Sequence, residues 1–204
     1  GAGDVIAIYA GNCREYYEIM LAANHAGLIY VPVNWHFSAE ELAYVIDNAG
    51  ARVLFAEGQF EPIAAAALAR GETPGLEHAF TLRGSGSAPF TDYETLLAQA
   101  SDAEPADQCA GGPMFYTSGT TGRPKGAMLS HLGIVHSSMH YQAGMALGMN
   151  DVGLAAVPLS HVTGLVALVT TMLHVAGTLV ILPSFKAAAF LQLAQLEKMT
   201  YTIM

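Results

Sequence analysis

The chain is short of charge, and of positive charge above all. Asp, Glu, Lys and Arg make up 12% of its 204 residues, with Lys and Arg numbering 8 against 17 acids, a formal charge of −9. Nucleic-acid binding needs clustered Lys and Arg to displace counterions from phosphates, so nucleic acid is not an expected partner. Cysteine is also scarce. Cys13 and Cys109 are too few and too distant in sequence for a disulfide framework or a zinc site, and a reduced, cytoplasmic setting is the default expectation. Heptads are absent, as is any internal repeat of about 20 to 50 residues. No Asp, Glu, Lys or Arg falls between Asp151 and Lys186. A membrane span needs about 20 continuous apolar residues, and Pro158, Ser160, His161, Gly164 and Gly177 interrupt this stretch. It therefore reads as buried strand, helix and strand, with no transmembrane span; peripheral attachment to a membrane stays open.

What is plentiful is apolar side chain. Hydrophobic residues make up 52% of the chain, which rules out disorder and supplies a sizeable core. So apolar a chain is expected to expose some of that surface, with self-association as a consequence.

Periodicity and punctuation give alternating elements. Val5 to Ala10 reads as a strand, and Asn12 as the cap of a helix running to His25 and stopped by Gly27. Leu28 to Val33 is the next strand. Ser38 and Glu41 form a capping box for a helix ending near Asn48, followed by a strand from Arg52 to Ala56. A helix over Gln59 to Arg70, a strand over His78 to Leu82, an exposed Gly84-Ser85-Gly86-Ser87 turn and a helix over Tyr93 to Gln99 complete this half. The polar stretch Ser101 to Gly112 reads as a linker, dividing a first α/β lobe (1–112) from a second segment (113–204). Strands are expected at Met114 to Thr117 and Ala127 to Leu129, with Ser130 capping a helix from His131 to about Met145. Val152 to Val157 and Thr178 to Leu182 read as strands around a helix from about Thr163 to Val175, and Thr200 to Met204 as a buried strand. The alternation implies an α/β fold, a largely parallel sheet with helices on both faces.

Behind the apolar Met114-Phe115 lies the most informative run, Tyr116-Thr117-Ser118-Gly119-Thr120-Thr121-Gly122-Arg123-Pro124-Lys125-Gly126, with three glycines, one lysine and four Ser or Thr hydroxyls. Gly119, Gly122 and Gly126 can turn the backbone with positive φ and let it approach a ligand, so that N–H groups and hydroxyls point at anionic oxygens. Lys125 adds a positive charge. The spacing is not that of the common P-loop, because the residue five after Gly119 is Pro124 and a glycine follows the lysine.

Taken whole, this run resembles the signature loop of the adenylate-forming superfamily: acyl- and aryl-CoA synthetases, luciferases and nonribosomal-peptide adenylation domains. The resemblance extends to Gly3-Asp4-Val5-Ile6-Ala7-Ile8, Asn12 and the segment to Pro32-Val33-Asn34 upstream. Downstream, Val157-Pro158-Leu159-Ser160-His161-Val162-Thr163-Gly164 is similar to the family's Pro-Leu-Phe-His-x-x-Gly motif, with Ser160 where an aromatic is usual. The later motifs that the resemblance leads one to expect, Tyr-Gly-x-Thr-Glu, Thr-Gly-Asp, a hinge and a C-terminal lysine motif, are not in the chain. It therefore reads as part of the large N-terminal domain of a longer synthetase of the acyl-CoA branch, inactive by itself.

The resemblance implies attack of a carboxylate on the α-phosphorus of ATP, giving an acyl-adenylate and pyrophosphate, and then displacement of AMP by the thiol of coenzyme A. It places nucleotide phosphates on Thr117, Ser118, Gly119, Thr120, Thr121, Gly122, Arg123, Pro124 and Lys125, with Mg²⁺ bridging phosphate oxygens, and it puts His161 beside the carboxylate as donor or gate. A carrier-protein acceptor, or a nucleotide-binding piece that turns nothing over, are the alternatives. The other histidines carry no such match. His136 and His140 stand four apart as in a His-x3-His pair but without a third ligand in sequence, and they read as ordinary helix residues.

Overall fold

The computed structural model describes residues 1–104, 108–117 and 123–204. Two compact units form, one of Gly1–Ala10 with Glu15–Met128 and the other of Gly11–Arg14 with Leu129–Met204.

The first unit is built on a sheet whose central strand, β1 (Val5–Tyr9), is apolar throughout and buried from Ile6 onward, as a parallel strand covered on both faces must be. On one side β1 pairs in parallel with β2 (Ile29–Pro32), and on the other with β3 (Ala51–Glu57), which in turn pairs with β4 (His78–Leu82). The two-residue β5 (Thr91–Asp92) closes that side. Beyond β2 lies β6 (Gly112–Thr117), also parallel, and then β7 (Lys125–Met128), the one antiparallel neighbour among the described strands. The hairpin bearing the glycine-rich run is thus at the sheet's edge.

Helix α1 (Arg14–His25) ends as the sequence implies: Gly27 has φ +72°, and the Leu28 N–H returns to the Ala23 carbonyl at 2.9 Å. A Cβ at Gly27 would also lie 2.1 Å from the Cys109 sulfur, which would have to move aside. The start of α1 differs from expectation. The helix begins two residues after Asn12, whose side chain is engaged within the second unit. Helix α2 (Ala39–Ala49) carries the capping box read from Ser38 and Glu41, and Gly50 closes it at φ 66°. Its inner face, Leu42, Ala43, Val45 and Ile46, is buried with Ala7, Tyr9, Val31 and Leu54. The Tyr9 hydroxyl donates to the Phe37 carbonyl at 2.8 Å, tying the entry of α2 to the central strand. A short 3-10 turn, Gly58–Phe60, leads into α3 (Glu61–Ala69), and α4 (Tyr93–Gln99) is capped by Asp92.

The second unit contains α5 (His131–Met145), capped by the Ser130 hydroxyl, and a parallel pair, β8 (Val152–Ala155) and β9 (Thr178–Ile181). The single helix expected between these strands is two structures: π-helical turns over Thr163–Thr170, then α6 (Thr171–His174). The Thr170 and Thr171 hydroxyls both donate to the Val166 carbonyl, at 3.0 and 2.8 Å, which accounts for a widened turn at that point. Helix α7 (Ala187–Leu196) has no side-chain cap at Lys186, so its start leaves no signal in the sequence. Thr200 to Met204, expected as a strand, pairs only at Tyr201, which bridges Gly153. The Thr200 hydroxyl instead reaches Asp151, and the Thr202 hydroxyl the Leu154 carbonyl. Leu132 and Leu196, 69% and 71% exposed, are part of the apolar surface that the composition implies.

Asp151 accepts from the Thr200 hydroxyl and the Gly148 N–H, which hold its carboxyl below the usual aspartate range. Its contribution to stability is therefore present above the unfolded-chain value near 4 and lost as pH falls through the lower folded value. We expect Asp151→Asn to melt earlier than the unsubstituted chain at neutral pH, with the gap closing below about pH 4. A gap that is the same at every pH would remove the carboxylate charge from this account.

Candidate functional site

The described ends of the glycine-rich run are the arms of the β6–β7 hairpin. Thr117 and Lys125 are direct cross-strand partners, and Tyr116 stands opposite Gly126. Residues 118–122, which hold Ser118, Gly119, Thr120, Thr121 and Gly122, lie outside the described residues. Thr117, Arg123 and Lys125 are exposed and Pro124 is half-buried, so a hydroxyl and an ammonium come from adjacent strand positions onto an accessible surface. Gly126 is in the strand and has no positive φ, in contrast to the turn role expected for it. A Cβ there would meet the side chains of Met114 (Sδ at 2.9 Å) and Tyr116 (Cε2 at 3.2 Å), which would have to shift to admit it.

Helix α2 reaches both arms of the hairpin. The Tyr44 hydroxyl donates to the Pro124 carbonyl at 3.1 Å, and the Tyr116 hydroxyl donates to Asn48 Oδ1 at 2.8 Å. The Arg123 guanidinium carbon is 5.3 Å from the Tyr44 ring centroid, within cation–π range. Burial, with a smaller effect of Tyr44, pushes the Tyr116 phenol up to about 12. Neither Tyr44 nor Asn48 was singled out from sequence; their spacing of four on a capped helix was the available signal.

His161 belongs to the second unit. Its N–H donates to the Pro158 carbonyl at 3.0 Å in a turn after β8. Nδ1 accepts from the Thr163 N–H at 3.2 Å, so in the neutral ring the proton is on Nε2, leaving an outward donor on an exposed side chain. Gly164 permits this turn, since a Cβ would come within 2.3 Å of the Pro158 carbonyl oxygen. Asn12 braces the same segment. Its buried carboxamide donates to the Val157 and Leu182 carbonyls at 2.9 and 3.2 Å and accepts from the Leu159 N–H at 2.8 Å. His136 and His140 are exposed on α5, and among the described residues no group of three or more His, Cys, Asp or Glu could hold a metal ion. No helix of the described residues is long and apolar enough to cross a membrane.

An exposed Thr–Lys hairpin at the edge of a mostly parallel sheet suits a protein that handles phosphates, and the sequence model of the AMP-binding enzyme family matches residues 1–204. The chain belongs to that family. It is 28% identical over 196 residues to the crotonobetaine/carnitine–CoA ligase of Citrobacter koseri, an alignment covering 92% of this chain and 37% of that ligase. Among solved structures, the inhibitor-bound N-terminal domain of FACL13 from Mycobacterium tuberculosis is similar, with a TM-score of 0.86 and 26% identity over 99% of this chain and 50% of that one. ATP-bound MatB from Rhodopseudomonas palustris gives a TM-score of 0.78 and 28% identity, covering 96% of this chain and 38% of that one. The fold is that of the N-terminal domain of acyl-CoA ligases, and the chain spans under two fifths of the length of the curated ligase.

Proposed function

We propose that this chain is the phosphate-handling part of an ATP-dependent carboxylate–CoA ligase, acting within a longer polypeptide and inactive alone. The observation that carries the reading is the direct pairing of Thr117 with Lys125 on a family-matched hairpin. In the first step a carboxylate oxygen bonds to the α-phosphorus of ATP and pyrophosphate leaves; in the second, the coenzyme A thiol takes the acyl group and AMP leaves.

The first step brings one anion onto another, so cations and N–H or O–H donors must offset the repulsion. Lys125 supplies the charge at the β- and γ-phosphates, and Thr117 a hydroxyl beside it. Ser118, Thr120 and Thr121 add hydroxyls in the same role, with Gly119 and Gly122 giving the backbone access. Mg²⁺ would neutralise phosphate oxygens when bound. Mg²⁺ keeps several of its waters and is commonly held through substrate phosphates with few protein ligands. His161 supplies an Nε2–H donor to the reacting carboxylate. The alternative of loading a carrier protein differs only in the acceptor, and the similarity to a carnitine–CoA ligase favours coenzyme A.

Carboxylate-dependent ATP–pyrophosphate exchange tests this reading. With His161→Ala we expect kcat/KM for the acid to fall about tenfold, as loss of one hydrogen bond to a charged group implies, while KM for ATP holds. An unchanged acid profile and rate would remove His161 from the mechanism.

A further inference from the structure

We propose that Tyr44 and Asn48 are positioning residues for the phosphate loop, one face of α2 holding both arms of the hairpin so that Thr117 and Lys125 meet the phosphates preset. This rests on the ligase reading above.

Residues four apart on a helix share a face, with Cβ atoms about 5–6 Å apart. Tyr44 and Asn48 are so placed, and each holds a different arm. The carbonyl that Tyr44 engages, that of Pro124, belongs to the peptide linking Pro124 to Lys125, so the bond fixes the plane from which the lysine departs. The residue that Asn48 engages, Tyr116, immediately precedes Thr117. Thr117 and Lys125 are therefore each the chain neighbour of a tethered group, and the two are paired with each other. Gly126 permits the arrangement by leaving room for the Tyr116 ring, and Arg123 over the Tyr44 face adds a second contact on the β7 arm.

The anchor itself is fixed. Helix α2 has a capping box at one end and a left-handed glycine at the other, and Leu42, Ala43, Val45 and Ile46 are at most 1% exposed. The hairpin is less secure, because β7 has only β6 beside it among the described strands and an edge element opens readily. Holding such an element in its binding geometry beforehand lowers the ordering cost when the ligand arrives. Neither residue needs to touch the nucleotide.

The test is ATP–pyrophosphate exchange by the whole gene product, with KM for ATP and for the acid measured separately and melting temperature alongside. Tyr44→Phe keeps the ring and its stack with Arg123 but removes the hydroxyl; Asn48→Ala removes the acceptor. Each is expected to raise KM for ATP about fivefold, the equivalent of one hydrogen bond, with the acid KM and melting temperature unmoved. Asn48→Asp keeps an acceptor for Tyr116 and should restore the ATP KM. Tyr116→Phe added to Asn48→Ala should change nothing further, since both remove the same bond. An unchanged ATP KM in both single variants, or ATP KM, acid KM and melting temperature all moving together, would overturn the positioning role. Absence of exchange in the unsubstituted protein would instead overturn the ligase reading, and the positioning role with it.

Discussion

Replacing Lys125 with alanine is expected to lower kcat/KM for ATP about 100-fold, the usual effect of removing one preorganised donor from a site where charge develops. The loss should be mainly electrostatic. Lys125 is exposed at the start of β7 and pairs with no carboxylate among the described residues. Melting temperature should accordingly stay within the small range of ordinary surface substitutions, about 0.5 kcal/mol. Lys125→Arg keeps the charge in a planar, less compact form and should recover only part of the activity. Steady-state exchange kinetics at varied ATP check this, and turnover in the alanine variant equal to that of the unsubstituted protein would remove the lysine from the mechanism.

The second large effect lies in the other unit. Asn12→Ala should destabilise that unit by about 3 kcal/mol, because three backbone groups lose a partner inside the structure at about 1 kcal/mol each. Asn12 is 6% exposed, so water cannot readily replace the lost bonds. Asn12→Asp is the sharper variant. It keeps the size but places a carboxylate oxygen against the Val157 and Leu182 carbonyls, which accept from the amide N–H now. Aspartate should therefore be at least as destabilising as alanine. Denaturant unfolding of the 204-residue chain measures both, and a loss under about 0.5 kcal/mol for alanine would show that these bonds are not what holds the segment. Because Asn12 grips Val157 and Leu159, just before His161, a surviving variant should also show altered use of the acid.

Much of the fold was legible because its signals are local. Ser38 with Glu41, Ser130 ahead of α5 and Gly27 with its left-handed backbone each declare a helix end within a few residues of sequence. Elements without such signals were missed or misread. Helix α7 starts at an uncapped Lys186, and the widened turns at Thr163–Thr170 are accompanied by hydroxyls of Thr170 and Thr171 bonding back to Val166. Asn12 shows the limit most clearly. Its residue type and place before a helix suggest a cap, yet its partners lie 145 to 170 residues away, where no local pattern points. The site divides along the same line. The loop run and the His161 motif were visible as ordered residue types, whereas Tyr44 and Asn48 matter only through partners 80 and 68 residues away.

The most direct test of the central claim is ATP–pyrophosphate exchange by the whole gene product across short, long and aromatic acids, with and without coenzyme A. The account predicts exchange that depends on the acid supplied, and formation of a thioester when coenzyme A is added. ATP binding without exchange for any acid would contradict it and identify the hairpin as part of a nucleotide-binding protein that performs no adenylation.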